Sequence, residues 1–151
     1  MKLLRAFFAN LLLIATLTTA GCEKPAPLPE ERPMVVNYAA LEGAWQLTHW
    51  QGAPLDTNSY LYIEFYRSER RYTIWDNIGS MYATDTTGAF SITEEEDGTY
   101  TLSGTYDYGV GDWSNTYEVT LQDNGERMQW RARGASEVMD FERIDEIPEL
   151  N

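Results

Sequence analysis

A chain of 151 residues is long enough for one domain, and a hydrophobic share of 43% is enough for one modest core. Its 24 acidic residues outnumber 11 basic ones and give a formal net charge of −13. Because an acidic surface repels phosphate backbones, we expect no binding to nucleic acids.

The first 21 residues have the pattern of a bacterial signal peptide that ends in a lipidation signal. A basic start precedes an apolar stretch over residues 6–17, which has the length of a secretory segment and is short for a membrane span. Residues 19–22, Thr-Ala-Gly-Cys, resemble a bacterial lipobox. The resemblance implies that Cys22 becomes the acylated N-terminus and anchors the protein in a membrane. The alternative is an ordinary signal peptide cleaved after Ala20.

The composition of residues 22–37 predicts a spacer between this anchor and a folded domain. The segment has little apolar content and contains four prolines, Pro25, Pro27, Pro29 and Pro33. Proline favours the extended polyproline II conformation, so the spacer should be semi-rigid and hold the domain off the lipid surface. Since Cys22 is the only cysteine, the mature domain can form no disulfide and perform no thiol catalysis.

Beyond the spacer, short stretches of alternating apolar and polar residues predict an all-β fold. Asp97-Gly98 and Asn124-Gly125 favour tight hairpins, and Gly88 suggests a kink or break in a long strand. The spacing leaves no room for crossover helices. We predict a single eight-stranded antiparallel up-and-down β-barrel over residues 38–146, followed by a tail at 147–151. The predicted strands are 41–50, 60–67, 71–75, 80–93, 98–107, 115–122, 127–133 and 137–144.

The first and last strands carry residues that sharpen this prediction. Gly43-Ala44-Trp45 forms a G-x-W motif on the first strand, and Arg143 lies on the last. In this the sequence resembles the small bacterial lipocalin-like (calycin-type) lipoproteins. The resemblance implies that Gly43, Trp45 and Arg143 close one end of the barrel, with the guanidinium stacked on the indole in a cation–π contact. The alternative is that Trp45 is a buried aromatic residue of a β-sandwich.

Aromatic side chains are the predicted ligand-binding residues. Tyrosine and tryptophan rings can line a cavity and stack on a sugar or an apolar ligand. Strand alternation directs the first four of the following residues inward near the open end, and the last two are expected near the rim: Tyr82, Tyr100, Tyr106, Trp130, Trp75 and Trp113. The alternative is that these rings fill the barrel or lie on its surface. An interior void of roughly 300 Å³ or more would favour a ligand, whereas a filled interior would favour a protein partner.

The sequence predicts no enzyme, no metal site and no cofactor. His49 is the only histidine, and no serine lies in a recognisable nucleophile motif. Asp107 and Asp112, in a glycine-rich stretch, supply too few oxygen ligands for calcium.

These inferences predict a lipid-anchored protein of the bacterial cell envelope, in the outer membrane, with the membrane face left open. Its expected partners are the membrane, through Cys22, and a small apolar or aromatic-stacking ligand in or at the mouth of the barrel. The alternative is an envelope interaction or structural protein with a filled barrel and a protein partner.

Overall fold

The structure is a computed structural model that describes residues 34–78, 82–109 and 111–150. The predicted signal peptide, Cys22 and nearly all of the spacer lie outside the described residues. No helix within these ranges has both the length and the apolar character needed to cross a membrane. The described elements are α1 (Tyr38–Leu41), β1 (Gly43–Trp50), β2 (Ala53–Pro54), β3 (Leu61–Tyr66), β4 (Arg71–Asp76), β5 (Thr84–Glu94), β6 (Tyr100–Tyr106), β7 (Tyr117–Gln122), a 3-10 turn (Asp123–Gly125), β8 (Arg127–Ala132) and β9 (Val138–Ile144).

Strands β1 and β3 to β9 form a closed antiparallel barrel, which confirms the predicted eight-stranded fold. Each strand pairs with its neighbour in sequence, and β9 returns to β1 with Trp45 opposite Arg143 and Leu47 opposite Phe141. The short β2 is an addition that pairs with the end of β1. Closure leaves few unpaired strand edges, which is the physical advantage of a barrel over an open sheet of the same strands.

The first strand begins later than predicted because residues 38–41 form a helical turn. Asn37 caps this turn by accepting a hydrogen bond from the backbone N–H of Ala40 at 2.9 Å. Gly43 follows with φ +105°, a backbone conformation that favours glycine, and it turns the chain from the helix into β1. The helix brings Leu41, which is fully buried, over one end of the barrel.

Trp45 and Arg143 lie against each other at this closed end. Trp45 is fully buried, and its Nε1 donates to the carbonyl oxygen of Leu41 at 2.9 Å. The guanidinium carbon of Arg143 lies 4.1 Å from the centre of the Trp45 ring. Arg143 also donates from Nε, Nη1 and Nη2 to the carbonyl oxygens of Gly125, Glu42 and Ala40, at 3.0, 2.7 and 2.8 Å. One side chain therefore ties the last strand to the helix and to the β7–β8 connection.

The apolar core occupies the closed end and the middle of the barrel. Alternate residues of every barrel strand point inward, so each strand contributes one to three buried side chains. Fully buried residues of this kind contribute roughly 1.5–3 kcal/mol each to stability. The buried cluster comprises Val36, Leu41, Trp45, Leu47, Ile63, Phe65, Tyr72, Phe90, Leu102, Val119, Leu121, Met128, Trp130 and Phe141.

Candidate functional site

A cavity of about 250 Å³ lies at the open end of the barrel. Aliphatic and aromatic side chains from β3, β4 and β9 form part of its wall. Five further aromatic residues line it: Trp50, Tyr106, Trp113, Tyr117 and Trp130. Its polar lining comes from Asp76, Thr86 and Ser114. The cavity is thus mainly apolar with a few polar groups, as is usual for sites that bind small molecules.

The cavity owes its shape to a gap between β6 and β7. In the described residues these two strands pair only at Thr101 with Glu118 and at Leu102 with Tyr117. The strands then diverge, and the chain that connects them folds back so that Trp113 enters the gap. The backbone N–H of Trp113 donates to the carbonyl oxygen of a β6 residue at 2.8 Å, which fixes the loop to the strand.

Tyr72 fixes the Trp113 ring through a hydrogen bond and a ring contact. The Trp113 Nε1 donates to the Tyr72 hydroxyl at 2.7 Å, and that hydroxyl donates to the carbonyl oxygen of Thr105 at 3.1 Å. The two ring centres lie 5.1 Å apart in an edge-to-face arrangement. The Tyr72 hydroxyl and the Trp113 N–H are therefore both hydrogen-bonded, which fixes the orientation of the Trp113 ring.

Two glycines make room for this arrangement. A Cβ atom on Gly104 would lie 2.3 Å from the Trp113 ring, and one on Gly88 would lie 1.7 Å from the carbonyl oxygen of Thr105. The close approach of ring and backbone therefore requires glycine at both positions. Gly88 does not break its strand as the sequence suggested, because β5 runs without interruption from Thr84 to Glu94.

Trp130 is the centre of a continuous aromatic cluster along the cavity. Its ring centre lies 5.6 Å from that of Trp113, 5.3 Å from that of Tyr117 and 4.7 Å from that of Phe141. The residue is only 6% exposed, and its Nε1 has no hydrogen-bond partner among the described residues. A buried donor without a partner costs about 1–3 kcal/mol.

The pKa values of two tyrosines of this region, Tyr106 and Tyr72, are raised. Burial raises the pKa of Tyr106, and the neighbouring Tyr117 raises it further. Burial also raises the pKa of Tyr72, although the hydrogen bond from Trp113 opposes the change. Since a tyrosine in water has a pKa near 10, both phenols are uncharged at physiological pH. Asp76 is then the one charged group in the cavity lining that the structure describes.

The structure brings three of the six predicted ligand-binding residues to the cavity: Tyr106, Trp113 and Trp130. Tyr100 lies at the opposite end, because β6 runs from the closed end to the open end and begins with this residue. Trp75 points outward, since the inward positions of β4 are Tyr72 and Ile74. Tyr82 is 75% exposed in the connection between β4 and β5.

Trp75 lies at an outer-surface depression that the C-terminal tail helps to form. Ile147, Pro148 and Leu150 share this depression with Trp75 and the start of β5. The tail therefore contributes apolar side chains on the outside of the barrel, away from the cavity. This location explains how a large aromatic ring can point away from the core and still be only partly exposed.

The cavity residues that were not predicted from the sequence include three that bear on ligand binding: Trp50, Asp76 and Tyr117. For two of them a signal was present. Asp76 continues the inward series of Tyr72 and Ile74, and Tyr117 precedes the inward Val119 by two positions. Trp50 had no such signal, because a register shift between Leu47 and His49 interrupts the alternation of β1.

In the described ranges, no three His, Cys, Asp or Glu side chains are grouped so that they could hold a metal ion. His49 has its ring nitrogen 3.1 Å from the hydroxyl of Thr48.

The β6–β7 connection is fastened to the neighbouring strands by Asp107. Its carboxylate accepts hydrogen bonds from the Thr87 hydroxyl and from the Arg71 guanidinium, which also forms an ion pair with it. The Thr87 hydrogen bond, followed by the hydrogen bond and the charge of Arg71, holds the pKa of Asp107 below its usual value of 3.8. The contacts that fasten the start of the Trp113 loop are therefore made by the ionised carboxylate of Asp107 and not by its protonated form.

Replacing Asp107 by asparagine should destabilise the protein at pH 6 and matter progressively less in acid. A carboxyl group whose pKa is lowered by folding contributes stability above its unfolded value near 3.8, and this contribution is lost as the pH falls through the folded value. The difference in melting temperature between wild type and D107N should thus shrink below about pH 4. Thermal unfolding at several pH values measures this, with D112N in the same connection as control. A difference that is constant from pH 6 to pH 3 would contradict the assignment.

The fold and the cavity define the class of protein: a closed eight-stranded antiparallel β-barrel with a buried aromatic cluster, compatible with a lipocalin-like fold. Comparison of the sequence with known protein families and with curated proteins gives no significant match.

Proposed function

We propose that this protein is a lipocalin-like binding protein of the bacterial cell envelope, anchored by lipid on Cys22, which holds a small apolar or aromatic ligand in its open-end cavity. The observation that carries the proposal is the cavity at the open end of the barrel, which aliphatic and aromatic side chains line with a few polar groups among them.

The volume of the cavity limits the size of the ligand. Its 250 Å³ falls short of the roughly 300 Å³ set above as favouring a ligand, and of the range of about 300–1,000 Å³ that is common for drug-sized ligands, so only a smaller compound fits. An apolar cavity of about 150 Å³ is large enough for benzene. A compound with one ring and a short substituent, or with two fused rings, therefore suits this site. Burial of its apolar surface would supply about 25 cal/mol per Å² before the costs of ordering.

The closed end supports the lipocalin-like part of the proposal. The stacking of Arg143 on Trp45 seals the barrel opposite the cavity, which is the arrangement that the G-x-W resemblance implies. A barrel sealed at one end can exchange a ligand only through the other. The lipid anchor is supported by the sequence alone, through the small residues before Cys22 and the proline-rich spacer after it.

A second candidate function is binding of an envelope protein at the open end of the barrel. The observation that favours it is the exposure of aromatic side chains on the loops there: Tyr108 is 89% exposed and Tyr82 is 75% exposed. Exposed aromatic residues are enriched in protein interfaces. The cavity beneath them favours the small-molecule function.

Native mass spectrometry of the protein purified from its own host tests the proposal. The expected result is a mature chain that begins at Cys22, carries acyl chains and retains a small molecule of one or two rings. Recovery of the protein without any small molecule, but with a co-purifying envelope protein, would favour the second candidate. A mature chain that begins at Gly21 without acylation would contradict the lipid anchor.

A further inference from the structure

Asp76 is placed to act on a ligand in the cavity. It is the last residue of β4, and it occupies the inward position two residues beyond Ile74. Its Oδ1 accepts a hydrogen bond from the backbone N–H of Ile78 at 3.1 Å, and the Thr84 hydroxyl, at 3.3 Å from its Oδ2 and 3.2 Å from its carbonyl oxygen, is shared between these two acceptors. These contacts orient the carboxylate at the mouth of the cavity. They occupy only part of its capacity, because a carboxylate offers about four acceptor sites.

The charge of Asp76 has no partner within the structure that is described. No Lys or Arg of the described ranges forms an ion pair with it, although five such pairs occur elsewhere. The rest of the cavity lining is aliphatic, aromatic or neutral polar. A partly buried carboxylate in such surroundings attracts a cation more strongly than an exposed surface acid does.

The aromatic walls of the cavity favour a cationic ligand, as the carboxylate of Asp76 does. The faces of tryptophan and tyrosine rings carry negative potential and attract a cation that lies within about 6 Å. Trp50 and Tyr106 line the cavity and are both partly exposed, so they lie at its mouth as Asp76 does. The formal charge of −13 on the whole chain adds a long-range attraction for cations.

We propose that the cavity selects a small organic cation, namely a protonated arylalkylamine, whose ammonium group meets Asp76 while its ring lies among the cavity aromatics. The inference rests on the proposed function and names the ligand class for that site. An alkylammonium group stays protonated at neutral pH, as the lysine side chain does. The ring of such a ligand would pack against the apolar wall of the cavity, and its ammonium group would pair with the carboxylate of Asp76. A neutral or anionic ligand of the same size would leave Asp76 unpaired or repelled.

Three probes of nearly equal size test the inference: phenethylamine, 2-phenylethanol and phenylacetate, which are cationic, neutral and anionic at pH 7. The expected order of affinity in NMR titrations at low salt is amine above alcohol above acid, with the amine about tenfold tighter than the alcohol. Salt should reduce this preference, since it screens partly exposed charges.

The substitution D76N separates the carboxylate from the shape of the site. Asparagine keeps an acceptor for the N–H of Ile78 and removes the charge. We expect D76N to lose about tenfold in affinity for phenethylamine and to bind 2-phenylethanol within twofold of wild type. D85N is the matched control: Asp85 is a carboxylate on β5 that faces the outer surface, and its replacement should leave all three affinities unchanged.

The possible outcomes distinguish this inference from the proposed function. If wild type binds the alcohol as tightly as the amine, the cation preference is overturned while the ligand-binding function stands. If none of the three probes binds the cavity, both are overturned. The ranking in wild type does not depend on any variant, so a D76N protein that failed to fold would still leave the inference open to contradiction.

Discussion

Replacing Arg143 by alanine should lower the free energy of unfolding by about 3 kcal/mol. The guanidinium stacks on the fully buried Trp45 at 4.1 Å, and a cation–π contact of this kind is worth about 0.5–2 kcal/mol. It also satisfies three backbone carbonyl groups from the helix and the β7–β8 connection. Alanine removes both contributions and exposes the edge of the core at the closed end. Urea unfolding followed by tryptophan fluorescence measures the loss.

Two further variants separate charge from geometry. R143K keeps a positive charge near the indole but lacks the planar group that reaches three carbonyls, so about half of the loss is expected. R131A is the control, because Arg131 forms only a surface ion pair with Glu118 at 3.4 Å, and such pairs are worth less than about 1 kcal/mol. An R143A protein as stable as R131A would show that the closed end does not depend on this side chain.

The fold could be predicted from the sequence because the signals for it are local. Alternation of apolar and polar residues gives the strand and its inward face, and dipeptides such as Asn124-Gly125 give the hairpins. The contact between Trp45 and Arg143 follows once the first and last strands are taken as neighbours. The helical turn at 38–41 escaped prediction, since four residues are too few for a periodic pattern.

The cavity could be predicted only in part, because its shape depends on contacts between distant segments. Trp113 has no strand pattern around it, and only the folded chain shows that its ring fills the gap beside β6. Tyr100 lies at an inward position, as alternation predicts, but at the closed end of the barrel. Alternation indicates which face of a strand a residue occupies, and it does not indicate how far along the barrel the residue lies. Trp75 is expected near the rim from its aromatic character, whereas its alternation with the inward Tyr72 and Ile74 places it on the outside.

Replacing Gly104 by alanine should abolish the ordered position of Trp113 and reduce ligand affinity at least tenfold. The new Cβ would lie 2.3 Å from the Trp113 ring, which is far inside van der Waals contact, so the ring must leave the gap between β6 and β7. The hydrogen bond from Trp113 to Tyr72 is then lost, and the cavity loses one wall. Overpacking of this kind costs about 1–3 kcal/mol, which the core should tolerate. Unfolding experiments and NMR titration with phenethylamine or acetophenone measure the two effects.

The controls for G104A separate the position of Trp113 from general damage to β6. S103A changes the neighbouring residue, whose side chain points outward to Ser91, and should retain both affinity and the Trp113 indole resonance. W113A removes the wall without the steric clash, so it should reproduce the loss of affinity while leaving Gly104 intact. If G104A bound the probes as wild type does, or if W113A did, the loop that carries Trp113 would have no part in holding a ligand. In that case the probes would bind at a site that does not use this wall, and the assignment of ligand binding to this cavity would be wrong, because the wall supplied by the β6–β7 connection is what separates the cavity from an open groove.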